Sequence, residues 1–145
     1  MVIATLLKED ASVFPPQTTI FEQTIIGIDR RYDAIVDGAV TIGGRPGKRY
    51  FEFKSYGSVP PANFAEQFLK DLNNPDIIDL NQLRWLFDAA KNPANFEMNM
   101  KTAIDGLDLS VNKIPAATFQ ELGINGEAGL RVLIEQNFSN IFNLN

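Results

Sequence analysis

No cysteine and no histidine occur among the 145 residues. The first absence excludes disulfides and thiolate metal sites; the second removes the commonest metal ligand and general base. Whatever chemistry the chain performs must therefore use carboxylates, Lys, Tyr, Ser or a hard cation. Also missing is any run of about 18 apolar residues, so no transmembrane helix is encoded. The opening MVIATLLKEDASVF lacks the basic segment and the long apolar segment of a secretory signal. Positive charge is in deficit as well: 13 Lys and Arg stand against 18 Asp and Glu, a formal net charge of −5. That balance argues against loose, sequence-blind binding to a polyanion, whose affinity comes from many basic contacts with phosphate. It does not exclude a nuclease, because bound divalent cations and local basic patches change the field a phosphate meets.

What is present is the composition of a globular domain, 45% hydrophobic and 21% charged. A chain of this length fits one domain, 1–145, with residues 1–16 an unassigned lead-in closed by the breaker FPP. No internal repeat, linker or low-complexity tract divides it. QTTIFEQTIIGI predicts a short helix capped by Thr19, with Glu22 three residues on as in a capping box and a stop near Gly27. From Arg30 to Ile42 the period is that of a strand, with Tyr32, Ala34 and Val36 on one face and Arg31, Asp33, Ile35 and Asp37 on the other. Gly43, Gly44, Pro46 and Gly47 make a turn, and KRYFEFKSY follows as a second strand, with Tyr50, Glu52 and Lys54 on one face and Phe51 and Phe53 on the other.

Beyond residue 60 the period becomes helical. In ANFAEQFLKDLNN the residues Phe64, Phe68, Leu69 and Leu72 form an apolar stripe. Further helices are expected at about 79–91 with Asp79 as cap, over 96–105 with a stop at Gly106, in a short segment after Pro115, and in EAGLRVLIEQNFSNIF. In DLSVNKI a strand is one option and the period decides nothing. The whole reads as an α/β (α+β) domain: a small mixed central sheet with helices on both faces.

Two side chains two residues apart on a strand lie on the same face, about 6.5–7 Å apart, so Glu52 and Lys54 address one point in space. Asp33, across the hairpin, completes an oxygen set suited to Mg²⁺ or Mn²⁺. Such an ion would hold a scissile phosphate and lower the pKa of a bound water, while Lys54 orients that water or stabilises charge developing on phosphorus. Asp37 rivals Asp33 from the same face, but its place beside Gly38 favours a turn or bulge. Arg30, Arg31, Arg45, Lys48 and Arg49 gather near the hairpin, as a phosphate-binding patch or as ordinary solubilising charge. Trp85 with Leu83, Leu86 and Phe87 reads as core rather than as a base-stacking platform. GGRPGK lacks the G-x-x-x-x-G-K-[ST] spacing and sits in a hairpin, so it is no phosphate loop.

The arrangement YDAIVDG…RYFEFKS, over about residues 18–72, resembles the core of the PD-(D/E)xK, or restriction-endonuclease-like, nuclease superfamily. Asp33 matches its strand aspartate, and Glu52 and Lys54 its E-x-K; Tyr32 stands where the superfamily name has proline. The resemblance implies an acid on the preceding helix, which Glu22 matches, and a polar residue on the following helix, which Gln67 in FAEQF matches. The implied metal ligands are then Asp33, Glu52 and Glu22, the implied catalytic set Asp33, Glu52, Lys54 and Gln67, and the implied phosphate contacts Arg31, Arg45, Lys48 and Arg49. LNQLRWLFDAAKN and the ending NFSNIFNLN are similar to C-terminal nuclease domains of bacterial polymorphic toxins of the Rhs and contact-dependent-inhibition kind. That implies release from a larger secreted protein, action in a target-cell cytoplasm, a nucleic acid as substrate and a dedicated immunity protein as inhibitor. DNA and RNA are not separated, because the motif reads the phosphodiester and not the sugar. The competing expectation, resting on the net charge and the many Phe and Asn residues, is a non-catalytic acidic binding or immunity-type protein of the cytoplasm.

Overall fold

In the computed structural model the described residues are 14–54, 59–89 and 95–144. Five strands form one sheet in the order β1-β2-β3-β4-β5. β1 (Thr19–Ile25), β2 (Arg30–Ile42) and β3 (Arg45–Lys54) are antiparallel neighbours, and β4 (Leu83–Phe87) and β5 (Phe142–Leu144) extend the sheet in parallel from β3. Parallel neighbours need crossovers, which are generally helical. α1 (Phe64–Asn73) lies between β3 and β4 in the chain; α2 (Phe96–Asp105), α3 (Ala116–Glu121), α4 (Gly126–Gln136) and α5 (Phe138–Ile141) lie between β4 and β5. The sheet is mixed and the class α+β, as the sequence leads one to expect.

β2 and α2 coincide with their expected ranges, α1 falls inside the expected 62–74, and β3 begins three residues before its own; residues 55 and 56, the rest of that expected strand, fall outside the described set, as do 1–13 of the lead-in. Two expected helices are strands. Thr19–Ile25 is β1, because a segment dense in β-branched Thr and Ile fits a pleated edge better than a helix interior. At 79–91 the Asp79 cap is real, its carboxylate accepting from the Asn81 N–H at 2.9 Å, but it closes only a 3₁₀ turn, Leu80–Gln82. LRWLF then runs as β4, burying Leu83, Trp85 and Phe87 on one face; residues 90 and 91 lie outside the described set. No strand forms in DLSVNKI, where turns carry Leu109 and Ile114 into the core.

The sheet separates two buried clusters. One holds Tyr32, Ile35, Tyr50, Leu83, Trp85 and Phe87 against Phe64, Phe68 and Leu72 of α1 and the apolar sides of α2 to α5. The other holds Ala34, Val36, Phe51 and Phe53, closed by Phe14. Among the described residues the helices contribute to the first cluster alone, so a helical layer is seen on one face.

Pairing on β3 is as anticipated: Tyr50, Glu52 and Lys54 face α1. On β2 the alternation breaks. The β2–β3 ladder pairs Ala34 with Phe51 and goes no further toward Arg30. There the Phe53 N–H donates instead to Asp33 Oδ2 at 2.6 Å. Across from Asp33, Glu22 interrupts β1 with a left-handed φ of 56°, between the pairs Phe21–Ala34 and Gln23–Tyr32. The irregularity re-aims the chain, a usual effect of a bulge. Tyr32, expected beside Ala34 and Val36, turns to the α1 face with its ring 4.9 Å from Tyr50. The second irregularity falls where Asp37 and Gly38 place it: the register shifts between Val36 and Val40, with Gly38 at φ 76°.

Candidate functional site

The α1 face of β2 and β3 carries charge where an apolar layer would be the default. Glu52 and Lys54 are each only 7% exposed. Lys54 Nζ lies 2.9 Å from Glu52 Oε2 and donates to Gln67 Oε1 at 3.1 Å. Glu52 Oε1 takes Arg30 Nη1 at 3.0 Å, and Arg30 Nε reaches Asp71 Oδ1 at 2.9 Å. Asp71, fully buried on α1, also accepts from the Tyr32 hydroxyl at 2.7 Å and from Trp85 Nε1 at 2.9 Å. Gln67 and Asp71 are four apart on α1 and so share the side that faces the sheet. The Arg30 guanidinium lies over the Tyr32 ring at 4.5 Å and 5.6 Å from Trp85, whose ring is also 5.6 Å from Lys54 Nζ. Buried charges persist only when paired and hydrogen-bonded, and here each carboxylate has at least two donors.

Asp33 completes the cluster from β2. Its carboxylate rests on the amide between Glu52 and Lys54. Burial and then the negative charge of Glu52 push its pKa up to about 6, against the opposing pull of the Phe53 amide, Lys54 and Arg30. Burial likewise pushes Asp71 up, opposed by Arg30 and by the Tyr32 and Trp85 donors. Burial would lower Arg30, but Asp71 and Glu52 outweigh it and leave Arg30 raised. Burial and the adjacent Asp71 hold the Tyr32 phenol firmly neutral, its pKa raised.

The structure thus brings Asp33, Glu52, Lys54 and Gln67 together. It does not bring Glu22: rather than standing on a helix above the site, Glu22 is on β1 and pairs with Arg31 at 3.1 Å, both side chains being exposed. The physical reason is the strand itself, with a backbone at Glu22 that turns the side chain toward its cross-strand cation. Arg31 stays near the site, lining a cleft with Arg30 and Gln67. Arg45, Lys48 and Arg49 do not: at ~3.3 Å per residue they lie roughly 16 Å or more along β3 from Lys54. Arg49 donates to the Asn81 carbonyl at 3.2 Å, and Lys48 lines a separate pocket with Asp37 and Asp76. Two members escape a sequence reading. Arg30 looks like one of several surface cations, and Asp71 like an exposed helix residue; the only signal was a charge flanked by the buried Phe68 and Leu72, four residues after Gln67.

Among the described residues no group of three or more Asp, Glu, His or Cys gathers around one point. Asp33 and Glu52 remain as a pair. Mg²⁺ is commonly bound by one or two carboxylates with waters completing its shell, and an Asp33 whose ionisation is suppressed by burial and by Glu52 is a donor that a cation would relieve. The donor chemistry therefore fits a hard divalent ion, with Arg30 and Lys54 as its competitors for Glu52. Comparison of the chain with protein families, curated proteins and solved structures returns no match.

Proposed function

We propose that the chain is a metal-dependent nuclease of the restriction-endonuclease-like kind, hydrolysing phosphodiester bonds of DNA or RNA. The observation that carries this reading is the convergence of Lys54 Nζ on Glu52 Oε2 and Gln67 Oε1, with the Asp33 carboxylate on the amide between Glu52 and Lys54. In its support, the residues that meet are the four the motif matches, drawn from two strands and a helix. A bound Mg²⁺ or Mn²⁺, held by Asp33 and Glu52, would polarise a phosphate oxygen and supply a water of lowered pKa. Lys54 would orient that water or stabilise charge developing on the phosphoryl group. Gln67 fixes the ammonium by accepting one of its protons. Arg30, held by Asp71, pairs with Glu52 Oε1 and aims it. The toxin setting belongs to the same proposal: a domain of a larger secreted protein, acting in a target cytoplasm and held in check by an immunity protein.

One observation favours the second reading, a non-catalytic acidic binding protein. Glu52 already has a cation on each oxygen and is largely sealed from solvent. Under that reading the network is only a way of specifying the fold. Incubation with plasmid DNA and with total tRNA, in Mg²⁺, Mn²⁺ or EDTA, separates the two. The nuclease reading expects metal-dependent cleavage that falls by about 10²–10³ in Lys54→Ala, as for loss of one transition-state donor, and that disappears in Glu52→Gln. No cleavage of either substrate with either metal leaves the binding protein.

A further inference from the structure

On the face of the sheet turned away from α1, two arginines meet with no acid between them. Arg49 precedes Phe51 by two residues on β3, and Arg84 of β4 is the register partner of Phe51. Phe51 belongs to the second cluster, so both arginines leave the sheet on that side. Each is half-buried. Arg49 Nε donates to the Asn81 carbonyl at 3.2 Å, and Arg84 Nη1 donates to the same oxygen at 2.9 Å. The two nitrogens are therefore no farther apart than these bonds laid end to end. Arg84 is held further by the Leu83 carbonyl at 2.8 Å and by Asn81 Oδ1 at 2.7 Å. A like charge so near disfavours the charged form. Burial and then the Arg49 charge push the Arg84 pKa down to about 10, against the pull of Asp79, and burial also lowers Arg49. No ion pair among the described residues involves either arginine. Asp79 is near, but its carboxylate accepts from the Asn81 N–H as the cap of the 3₁₀ turn. Donors remain to be used. Among the described residues Nε is the only nitrogen of Arg49 that is engaged, and Nε of Arg84 has no partner. Arg30 Nη2 is the one sealed, unpartnered side-chain nitrogen of the described residues, so the spare donors of Arg49 and Arg84 are open to solvent.

We propose that Arg49 and Arg84 form a binding site for a phosphate monoester, on the opposite side of the sheet from Glu52 and Lys54. Two guanidiniums offer two positive charges at one place, and a phosphate monoester brings about −1.5 to −2 charge and three strong acceptor oxygens near neutral pH. A carboxylate or a phosphodiester brings one negative charge and leaves one guanidinium unbalanced. Asn81 is the positioning group: a neutral acceptor gathers the two cations without cancelling them, as an aspartate there would. The phosphate comes from the phosphorylated end of a nucleic-acid strand or from a free phosphorylated molecule, and the chemistry at the arginines is the same for both. The site does not rest on the nuclease reading, and the nuclease reading does not rest on it.

Arginine Nε–H resonances, followed by NMR in EDTA at about pH 7.5, above the second phosphate pKa of about 6, read the site directly. The wild-type protein is titrated at constant ionic strength with inorganic phosphate, a nucleoside 5′-monophosphate, dimethyl phosphate and acetate. Saturable shifts of the Arg49 and Arg84 resonances are expected with the first two, at affinities about tenfold or more above those for the singly charged pair, as for one added charge-assisted hydrogen bond. Arg49→Gln and Arg84→Lys, each checked for an intact fold by its amide spectrum, should weaken phosphate binding by a similar factor. Equal, weak shifts with all four anions overturn the site, as does undiminished phosphate binding in either variant; the wild-type anion series decides alone if a variant does not fold. A short 5′-phosphorylated oligonucleotide and its unphosphorylated twin separate the sources. Binding of the phosphorylated strand more tightly than the nucleoside monophosphate assigns a strand end, and equal or weaker binding assigns a free phosphorylated molecule. Equal affinity for the strand with and without its phosphate means attraction to the polyanion alone, and the monoester site falls.

Discussion

Replacing Asp33 by Asn should make the protein more stable at pH 8 and leave it no more stable at pH 4. The pKa of Asp33 is about 6 in the fold against an ordinary 3.8, so the native state binds the proton more tightly than the unfolded chain. Between those values the native state carries more protons, and stability falls as pH rises. The favourable contribution is fully present below about 3.8 and is lost as pH passes through about 6. At about 1.36 kcal/mol per tenfold step, the interval sets a ceiling of ~3 kcal/mol. Asp33 is partly reached by solvent, so screening reduces this to about 1–2 kcal/mol. Asparagine is neutral at every pH and can still accept from the Phe53 amide, so it escapes the penalty without breaking the β2–β3 junction. For a chain of this size the gain corresponds to a Tm rise of about 3–6 °C at pH 8, measured by thermal melts in EDTA and closing to zero near pH 4. A variant that is less stable at pH 8, or that differs from wild type equally at both pH values, refutes the electrostatic account.

Other outcomes follow from the same contacts. Asp71→Asn should destabilise by about 3–5 kcal/mol, because it strands Arg30 in the interior; chemical denaturation followed by Trp85 emission measures it. Glu22→Gly removes a left-handed residue from β1 at the cost of an exposed ion pair, so stability should change by less than ~1 kcal/mol. Cleavage activity should be unaltered in that variant; a large loss would place Glu22 in the metal site after all. Phe68→Ala, in the middle of the α1 stripe, should cost about 3–5 kcal/mol in denaturant unfolding.

The charged face of β3 was legible because period two is strict: once FEFK is a strand, Glu52 and Lys54 must share a side with Tyr50, and Phe51 and Phe53 must not. α1 was legible for the matching reason, its stripe repeating every three to four residues from Phe64 to Leu72. β4 was not, since in LRWLF the apolar residues 83, 85, 86 and 87 satisfy both periods and only pairing with β3 decides between them. β1 was masked by a capping-box pattern that its β-branched content overrode. Tyr32 and Arg30 were assigned to the wrong surroundings because the break at Asp33 is a tertiary event: the aspartate carboxylate takes the amide that the β2 carbonyl would have taken, and no local pattern announces that exchange.

The buried network also fixes which member of the site must respond to a metal. Arg30 and Lys54 stand against Glu52 and Asp71, two basic side chains paired with two acidic ones. Asp33 is the fifth group, and burial and then the negative charge of Glu52 push its pKa up to about 6. A divalent ion reverses that balance: it binds the ionised form, and so must compete with a proton whose pKa is about 6. Metal affinity should therefore fall about tenfold per pH unit below 6 and level off above about 7. At pH 8, Mg²⁺ at a hundred times its dissociation constant should raise wild-type stability by about 2.7 kcal/mol, enough to cancel the advantage of Asp33→Asn measured in EDTA. Melts of both proteins with and without Mg²⁺ at pH 5 and 8 test this directly. An advantage of Asp33→Asn that persists undiminished in saturating Mg²⁺ means that Asp33 is not a ligand, and the paired-carboxylate site goes with it.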